Sequence, residues 1–383
     1  MNAYSYGVAA VALTWVPHGR WTSTLFLMWA PVGLSVGIGL GGILADRLGR
    51  RLMLRWGPVG YVIGSASLLL SSGMAPALLG SGFLMLTAGL ESNTILTYSQ
   101  ELIPGPSKRQ TMYAELNFVN MGALALAALA FVSHQWGTGL LRPGMTVLPL
   151  GLALLSLWLR RSLPESVLWE KSTDGAADLS MPPDYRLRLL VAGIFSFANT
   201  AGFSLLTYAF GTEFLPRHFH HLLLVSTATA FLVGLVARWL GQLPAATILL
   251  VGYGLAFMAA LALAFVQSPG HPAFWPILFA LSAFTSMSYL AEDTFKTDAW
   301  PSRVRARLIS VVRVAGLLGY AAVLLAARHT PLQPFLMLIA TVWGVGLLAA
   351  VVWWLADQRQ GLKHQRRIAT RRIREHFRRS KIR

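Results

Sequence analysis

Two ionisable residues lie inside long apolar stretches of the sequence. Glu91 lies within residues 77–103, which carry no other charge before Glu101, and Arg313 lies within residues 306–327. An ionised side chain inside a bilayer costs about 3 kcal/mol or more, so such residues usually have a function. A carboxyl group there can carry a proton, and a guanidinium can bind an anionic ligand through two parallel hydrogen bonds. The sequence therefore predicts proton coupling at Glu91 and substrate binding at Arg313.

Both residues also have other interpretations. Glu91 could bind a cationic or hydroxyl group or hydrogen-bond a neighbouring helix, and Arg313 could neutralise a fixed acid such as Glu115. Glu292 and Lys296 have the i, i+4 spacing of an ion pair on one helix, which indicates a structural role. Further candidates for substrate contacts are the uncharged residues Asn117, Asn120, Asn199 and Tyr208. Such residues also often form hydrogen bonds between membrane helices.

The composition is that of a membrane protein. Of the 383 residues, 55% are hydrophobic and 12% are charged, whereas soluble proteins carry about 25% charged residues. The absence of cysteine excludes disulfides and cysteine-based metal or redox sites. Much of the net charge of +17 falls in the basic tail, residues 356–383. We expect this tail to bind anionic lipids rather than nucleic acid.

Apolar stretches long enough to cross a bilayer recur along the chain, since a spanning helix needs about 20 apolar residues. Twelve spans are predicted near residues 3–17, 22–43, 54–73, 77–103, 110–133, 143–160, 187–210, 219–240, 244–267, 272–297, 306–327 and 333–355. They divide the chain into a first bundle (1–160), a polar central loop (161–186), a second bundle (187–355) and the tail. The first span is short for a bilayer, so we expect a short helix or a lost N-terminal piece.

The distribution of basic residues predicts the orientation. The loops after even-numbered spans hold most of the loop arginines and lysines, and the opposite loops hold only Arg20, Arg142, Arg217 and Arg328. Cytoplasmic loops carry the excess of basic residues in membrane proteins. We therefore expect a multi-pass protein of the bacterial inner (plasma) membrane with both termini in the cytoplasm.

The two halves of the sequence resemble each other. "GILADRLG" (42–49) aligns with "GLVARWLG" (234–241), and "ELIPGPSKR" (101–109) has the same order of acid, proline and basic residues as "DAWPSRVR" (298–305). Each similarity falls at the same place in the order of spans. A duplicated unit of this kind predicts two pseudo-symmetric six-helix bundles around a central cavity, in an all-α membrane protein.

Several segments resemble known transporter families. "GGILADRLGRRLML" (41–54) is similar to the loop signature of the major facilitator superfamily. "RRSLPESVLWE" (160–170) resembles a segment of sugar porters and metabolite:proton symporters, and Glu91, Tyr98 and Glu101 resemble the fourth-helix pattern of those symporters. This resemblance implies a secondary transporter that works by alternating access. It also implies a cytoplasmic gate of ion pairs, with Glu101 beside Arg109, formed by Asp46, Arg50, Arg51, Glu101, Arg109, Glu165, Asp298 and Arg305.

Two departures from these families narrow the prediction. Ser5 stands where the symporters carry an acid in the first helix, and "FANTAG" (197–202) replaces the glutamine signature of sugar porters. The prediction is therefore proton symport of a small organic acid or zwitterion by a monomer. The alternatives are a sugar porter or exporter of the same fold, or a non-transporting membrane receptor. Since there is no phosphate-binding G-x-x-x-x-G-K-[ST] motif, ATP is not expected to drive transport. Neither enzymatic activity nor a cofactor is expected.

Overall fold

The computed structural model describes residues 20–70, 73–103, 108–136, 141–173 and 181–380. Every regular element in this part of the chain is a helix. The first predicted span (residues 3–17), with Ser5, lies outside the described residues. The other eleven predicted spans each coincide with a helix.

The helices of the first half are α1 (Arg20–Leu48), α2 (Arg50–Leu69), α3 (Met74–Leu102), α4 (Lys108–Trp136) and α5 (Leu141–Leu159), followed by a short helix α6 (Val167–Thr173) in the central segment. The second half contains α7 (Tyr185–Ser204), α8 (Phe219–Leu240), α9 (Ala245–Val266), α10 (Phe274–Asp298), α11 (Arg305–Ala326) and α12 (Leu332–Ser380). Helix α7 continues through a π-helical turn (Leu205–Phe210) to Gly211–Glu213. Among the described residues, nine helices are long and apolar enough to cross a membrane.

The two halves meet along two helix pairs, α1 with α11 and α4 with α8. Helix α1 also packs closely on α3 within its own half. Glycines make both approaches of α1 possible. A Cβ atom at Gly37 would lie 2.1 Å from the carbonyl oxygen of Leu86 on α3, and one at Gly42 would lie 1.9 Å from Ser310 Oγ on α11. Small residues allow membrane helices to approach this closely.

The contact between α4 and α8 extends to the opposite end of the bundle from Gly42. There the rings of His134 and His220, one from each half, lie 4.4 Å apart. Phe219 and Leu223 of the second half belong to the same buried apolar cluster as Leu126 of the first. The halves are therefore in contact at both ends of the bundle.

The close approach at Gly42 gives a first prediction. Because a side chain at Gly42 collides with Ser310, Gly42→Leu should separate α1 from α11. Overpacking of this kind costs about 1–3 kcal/mol, so the contact between the halves should open roughly tenfold more often. The chain has no cysteine of its own. Opening can therefore be measured as the rate at which a polar thiol reagent modifies Thr297→Cys, whose position is 0% exposed.

Gly39→Leu is the matched control for this experiment. Gly39 lies on the same helix, but a Cβ atom there meets nothing within 4 Å. Its substitution should leave the rate of modification unchanged. Equal rates in the two glycine variants would show that the α1–α11 approach does not hold the halves together.

Candidate functional site

A group of buried charges joins the two halves at the end of the bundle where α1 ends and α11 begins. Arg50, which is fully buried, pairs with Asp46 at 2.8 Å and with Glu101 Oε1 at 3.3 Å. The same oxygen of Glu101 lies 3.2 Å from Arg305 Nη1. Glu101 thus binds a guanidinium from each half. We call Asp46, Arg50, Glu101, Glu165, Arg305 and Arg307 the charge cluster.

Backbone groups add to the connection between the halves. The amide of Arg307, in the first turn of α11, donates to Asp46 Oδ2 at 3.0 Å. Arg50 Nη2 donates to the carbonyl oxygen of Ser302 at 3.1 Å. The first turn of a helix carries unpaired N–H groups and a partial positive charge, which favour a carboxylate such as Asp46.

Glu165 attaches the central segment to the same cluster. Its carboxylate accepts hydrogen bonds from the backbone amides of Arg50 at 2.9 Å and Arg51 at 3.1 Å, at the start of α2. Gly49, with φ 97°, precedes these amides, and a Cβ there would lie 2.5 Å from Glu165 Oε2. In addition, Ser166 Oγ donates to Glu101 Oε2 at 2.6 Å. The central segment is therefore held against both α2 and α3.

The predicted gate residues Asp46, Arg50, Glu101, Glu165 and Arg305 all lie in this cluster. Arg51 contributes its backbone amide, and its side chain is exposed. Asp298 lies beside the cluster and accepts a hydrogen bond from Gln100. The side chain of Arg109, the predicted partner of Glu101, lies outside the described residues. The described partners of Glu101 are Arg50 and Arg305, and its pairing with Arg109 stays a prediction. Arg307, which the sequence did not predict as a gate residue, also contacts Asp46.

A cavity lies between the two halves, next to the charge cluster along the bundle. The first half supplies a mostly apolar wall that includes Leu34, Ile38 and Met85, with Asn120 as an amide. The second half supplies most of the polar groups: Asn199, Thr200, Ser204, Tyr208, Thr227, Thr285, Ser286, Tyr289, Glu292, Lys296, Arg313 and Tyr320. Most of the polar and charged groups of the cavity therefore come from the second half.

Four of the five predicted substrate-binding residues line this cavity: Asn120, Asn199, Tyr208 and Arg313. Asn117 is not among the lining residues, and its side-chain oxygen accepts a hydrogen bond from Asn120 at 3.3 Å. The position of the four agrees with the prediction. Their role in binding stays a prediction, because no ligand contact tests it.

Arg313 connects the cavity to the contact between the halves. Its Nη1 atom donates to Asn93 Oδ1 at 2.9 Å and to Ser92 Oγ at 3.2 Å, both on α3 of the other half. Asn93 in turn donates to Ser310 Oγ at 2.7 Å, one turn of α11 closer to the charge cluster. Ser310 Oγ also donates to the carbonyl oxygen of Ile38 at 2.8 Å. One face of α11 therefore carries a continuous row of polar contacts from the cavity to the cluster.

Helix α10 carries a triad of charged residues, of which Glu292 and Lys296 form part of the cavity wall and Asp293 does not. Lys296 Nζ lies 2.6 Å from Glu292 Oε1 and 2.7 Å from Asp293 Oδ1. Asn199 Nδ2 donates to Glu292 Oε2 and, at 2.7 Å, to the hydroxyl of Tyr253. The structure confirms the i, i+4 pair but also places Glu292 and Lys296 at the cavity. The spacing alone did not reveal this, because it does not say which face of α10 points to the other half.

Glu91 lies elsewhere in the structure. It is 2% exposed and pairs with Arg160 from the end of α5. Arg160 also donates to the carbonyl oxygen of Leu54 at 2.9 Å, and a Cβ at Gly57 would lie 2.7 Å from Glu91 Oε1. Glu91 is not among the described residues that line the cavity. Its described contacts join α2, α3 and α5, and its proton-coupling role stays a prediction.

Comparison with known proteins identifies the family. A sequence profile described as the Major Facilitator Superfamily matches residues 2–324. The chain belongs to this superfamily. The all-α architecture with two six-helix halves, which the sequence predicted, is that of the superfamily.

Two curated relatives match part of the chain. It is 27% identical over 175 residues to the glucose transporter GlcP of Staphylococcus epidermidis, and 26% identical over 184 residues to the probable inositol transporter 3 of Arabidopsis thaliana. The matches cover 44% and 46% of this chain but 38% and 31% of the two relatives. The chain thus spans less than half the length of the curated relatives it matches.

Solved transporter structures share the fold. A double tryptophan mutant of XylE has a TM-score of 0.75 at 15% identity, covering 92% of this chain and 91% of that one. The proton:xylose symporter XylE bound to 6-bromo-6-deoxy-D-glucose has a TM-score of 0.72 at 16% identity, with 92% of both chains covered. The human organic anion transporter MFSD10 has a TM-score of 0.65 at 17% identity, covering 91% and 89%. At such identities the similarity shows the fold alone.

The shared carboxylate of Glu101 gives a second prediction. Glu101→Gln removes the partner of two buried guanidinium groups, Arg50 and Arg305. Breaking a buried ion pair from one side costs about 3–5 kcal/mol, so the halves should separate at this end. Spin labels on cysteines introduced at Leu48 and Arg303, one in each half, should report a longer distance by double electron–electron resonance.

Asp184→Asn serves as the control for Glu101→Gln. It breaks the pair of Asp184 with Arg188, whose side chains are 17% and 22% exposed. Pairs accessible to water contribute only about 0–1 kcal/mol, so the label distance should stay that of the parent protein. A parent-like distance in Glu101→Gln as well would mean that the charge cluster does not hold the halves together.

Proposed function

We propose that the chain is a secondary active transporter that moves a small carboxylate-bearing solute together with a proton by alternating access. The superfamily supports transport, and the cavity between the halves offers a place for the solute. The observation that carries the substrate class is the presence of two cationic groups, Arg313 and Lys296, on the wall of one polar cavity. Guanidinium and ammonium groups are the usual partners of carboxylates.

The charge balance of the cavity supports the coupling to a proton. Glu292 and Asp293 are balanced by Lys296 and Arg313 when all four are ionised. A single carboxylate entering this buried place leaves one negative charge unbalanced, which is costly inside a bilayer. A proton that enters with the solute restores the balance. A zwitterion, which carries no net charge, fits the same cavity without one.

A sugar or polyol is the second candidate. The hydroxyl and amide groups of the cavity, with Tyr208, Tyr289 and Tyr320, suit a hydroxyl-rich solute. Two curated relatives are named as a glucose transporter and a probable inositol transporter. Asn199 offers an amide in the helix where sugar porters carry their glutamine signature.

We further propose that the charge cluster is the cytoplasmic gate, closed in this structure. The positions of the basic residues support the inner-membrane orientation with both termini in the cytoplasm. The basic tail, residues 356–383, would then lie against anionic lipid. Nothing in the proposed cycle needs more than one copy of the chain, so we propose a monomer.

The proposed function predicts uptake by purified protein in liposomes under an imposed proton gradient. Labelled lactate, succinate, glycine betaine, D-glucose and myo-inositol form the test set. Accumulation of a carboxylate above equilibrium, abolished by a protonophore, is the expected result. Accumulation of D-glucose or myo-inositol alone selects the sugar porter. Ligand binding without accumulation under any gradient selects the non-transporting receptor.

Arg313 should determine the affinity for a carboxylate. Hydrogen bonds to charged groups contribute about 1.5–3 kcal/mol, so Arg313→Gln should raise the half-saturation concentration roughly 10- to 150-fold. Arg188→Gln is the matched control, since Arg188 pairs with Asp184 outside the cavity. An unchanged half-saturation concentration in Arg313→Gln would assign Arg313 to the contact between the halves alone.

A further inference from the structure

We propose that Glu292 on α10 is the group that binds and releases the transported proton. This inference rests on the proposed proton coupling. It differs from the sequence prediction, which placed the proton on Glu91. Three observations support it: the composition of the α10 triad, the access of Glu292 to the cavity, and the groups that surround it.

The triad contains more acid than base. Lys296 Nζ contacts both Glu292 at 2.6 Å and Asp293 at 2.7 Å, so a single ammonium serves two carboxylates. The three side chains are between 0% and 2% exposed. A carboxylate that shares its counter-ion in a buried place is the natural point for a proton to bind, because protonation leaves a balanced pair behind. Glu91, by contrast, has Arg160 as a partner of opposite charge.

Only one of the two acids of the triad is placed to exchange a proton with the cavity. Glu292 and Lys296 belong to the cavity wall, whereas Asp293 is not among the described lining residues. The proton therefore reaches Glu292 from water in the cavity and leaves by the same way after the halves have reoriented. Asp293 stays ionised and keeps Lys296 in place.

Among the described residues that line the cavity, Glu292 is the only acid, and the other groups that line it are uncharged or basic. From α7, Asn199 Nδ2 donates to its carboxylate, and Tyr208 lines the same cavity. From α9, the hydroxyl of Tyr253 binds Asn199. From α11, Arg313 and Tyr320 face the cavity. Helices α3, α4 and α8 contribute Met85, Asn120 and Thr227 to the cavity wall, and none of these three is charged. Glu101, the acid near the end of α3, lies in the charge cluster.

Protonation of Glu292 would change what the cavity binds. With Glu292 neutral, Lys296 pairs with Asp293 alone, and its ammonium can donate to an oxygen of the solute. The cavity then carries one positive charge more than before. A carboxylate solute is therefore favoured only after the proton has bound, which is the thermodynamic requirement for coupling two ligands.

The test measures protonation directly and needs no substrate. The full chain in lipid is titrated from alkaline to acidic pH, and infrared difference spectra record the carbonyl stretch of protonated carboxyl groups. Wild-type protein should show a band that Glu292→Gln loses. The matched control, Glu91→Gln, should keep it. A band that survives in Glu292→Gln, or that disappears only in Glu91→Gln, overturns the proposal.

Asp293→Asn is an independent test of the excess of acid over base in the triad, and it is available if Glu292→Gln does not fold. It leaves Glu292 with a full counter-ion, so the band of Glu292 should be lost although the residue is still present. A band of wild-type intensity and midpoint in a folded Asp293→Asn protein also overturns the proposal, because the excess of acid would then have no effect.

Transport measurements distinguish a failure of the inference about Glu292 from a failure of the proposed function. In a wild-type protein that accumulates solute, Glu292→Gln should reduce accumulation to simple equilibration while exchange of labelled for unlabelled solute continues. Accumulation at wild-type level in that variant contradicts the inference alone. If the infrared band behaves as expected but no solute accumulates in the wild type, Glu292 binds a proton, and it is the proposed symport that is wrong.

Discussion

The contact between the two halves at the charge cluster depends on one carboxylate that is shared between two guanidinium groups. Glu101 Oε1 lies 3.3 Å from Arg50 of the first half and 3.2 Å from Arg305 of the second. Both acid and bases are removed from water, so separating them requires new partners for each charge. The other contacts at this end, Arg307 with Asp46 and Gln100 with Asp298, are arranged around that shared oxygen. Ion pairs at an interface between two rigid parts repack when those parts move, which is the property that the proposed gate requires.

The two halves contribute different groups to the cluster and the cavity, although their sequences resemble each other. The first half carries Asp46 and Glu101, two of the three acids of the cluster, and gives the cavity a mostly apolar wall. The second half carries the charged and hydroxyl groups of the cavity. Helix α11 contributes to both sites, because Arg313 lies at the cavity and Arg305 lies in the cluster. A change at the cavity can therefore reach the cluster along a single helix face.

The sequence predicted the helices better than the contacts between them. Hydropathy located eleven spans that the structure describes, because bilayer thickness fixes the length of an apolar helix. The loop motifs located Asp46, Arg50 and Glu101. The pairing of Asp46 with Arg50 could be predicted, because the two residues are four positions apart, but that of Glu101 with Arg305 could not, because they are more than 200 residues apart in sequence. The repeat aligns Arg305 with Lys108, the neighbour of the partner that the sequence suggested, Arg109. Likewise, the depth of Glu91 in its helix was visible, but its pairing with Arg160 on another helix was not.

The burial of the charge cluster has a consequence for the solvent. Arg50, Asp46 and Glu101 are dehydrated while the halves are closed, since their side chains are 0% exposed. When this end opens, each of these groups must regain a shell of water molecules. The proposed transport cycle is therefore also a cycle of water uptake and release. The balance between the two states should then depend on the osmotic strength of the solution on that side of the membrane, even for a solute that the cavity never binds.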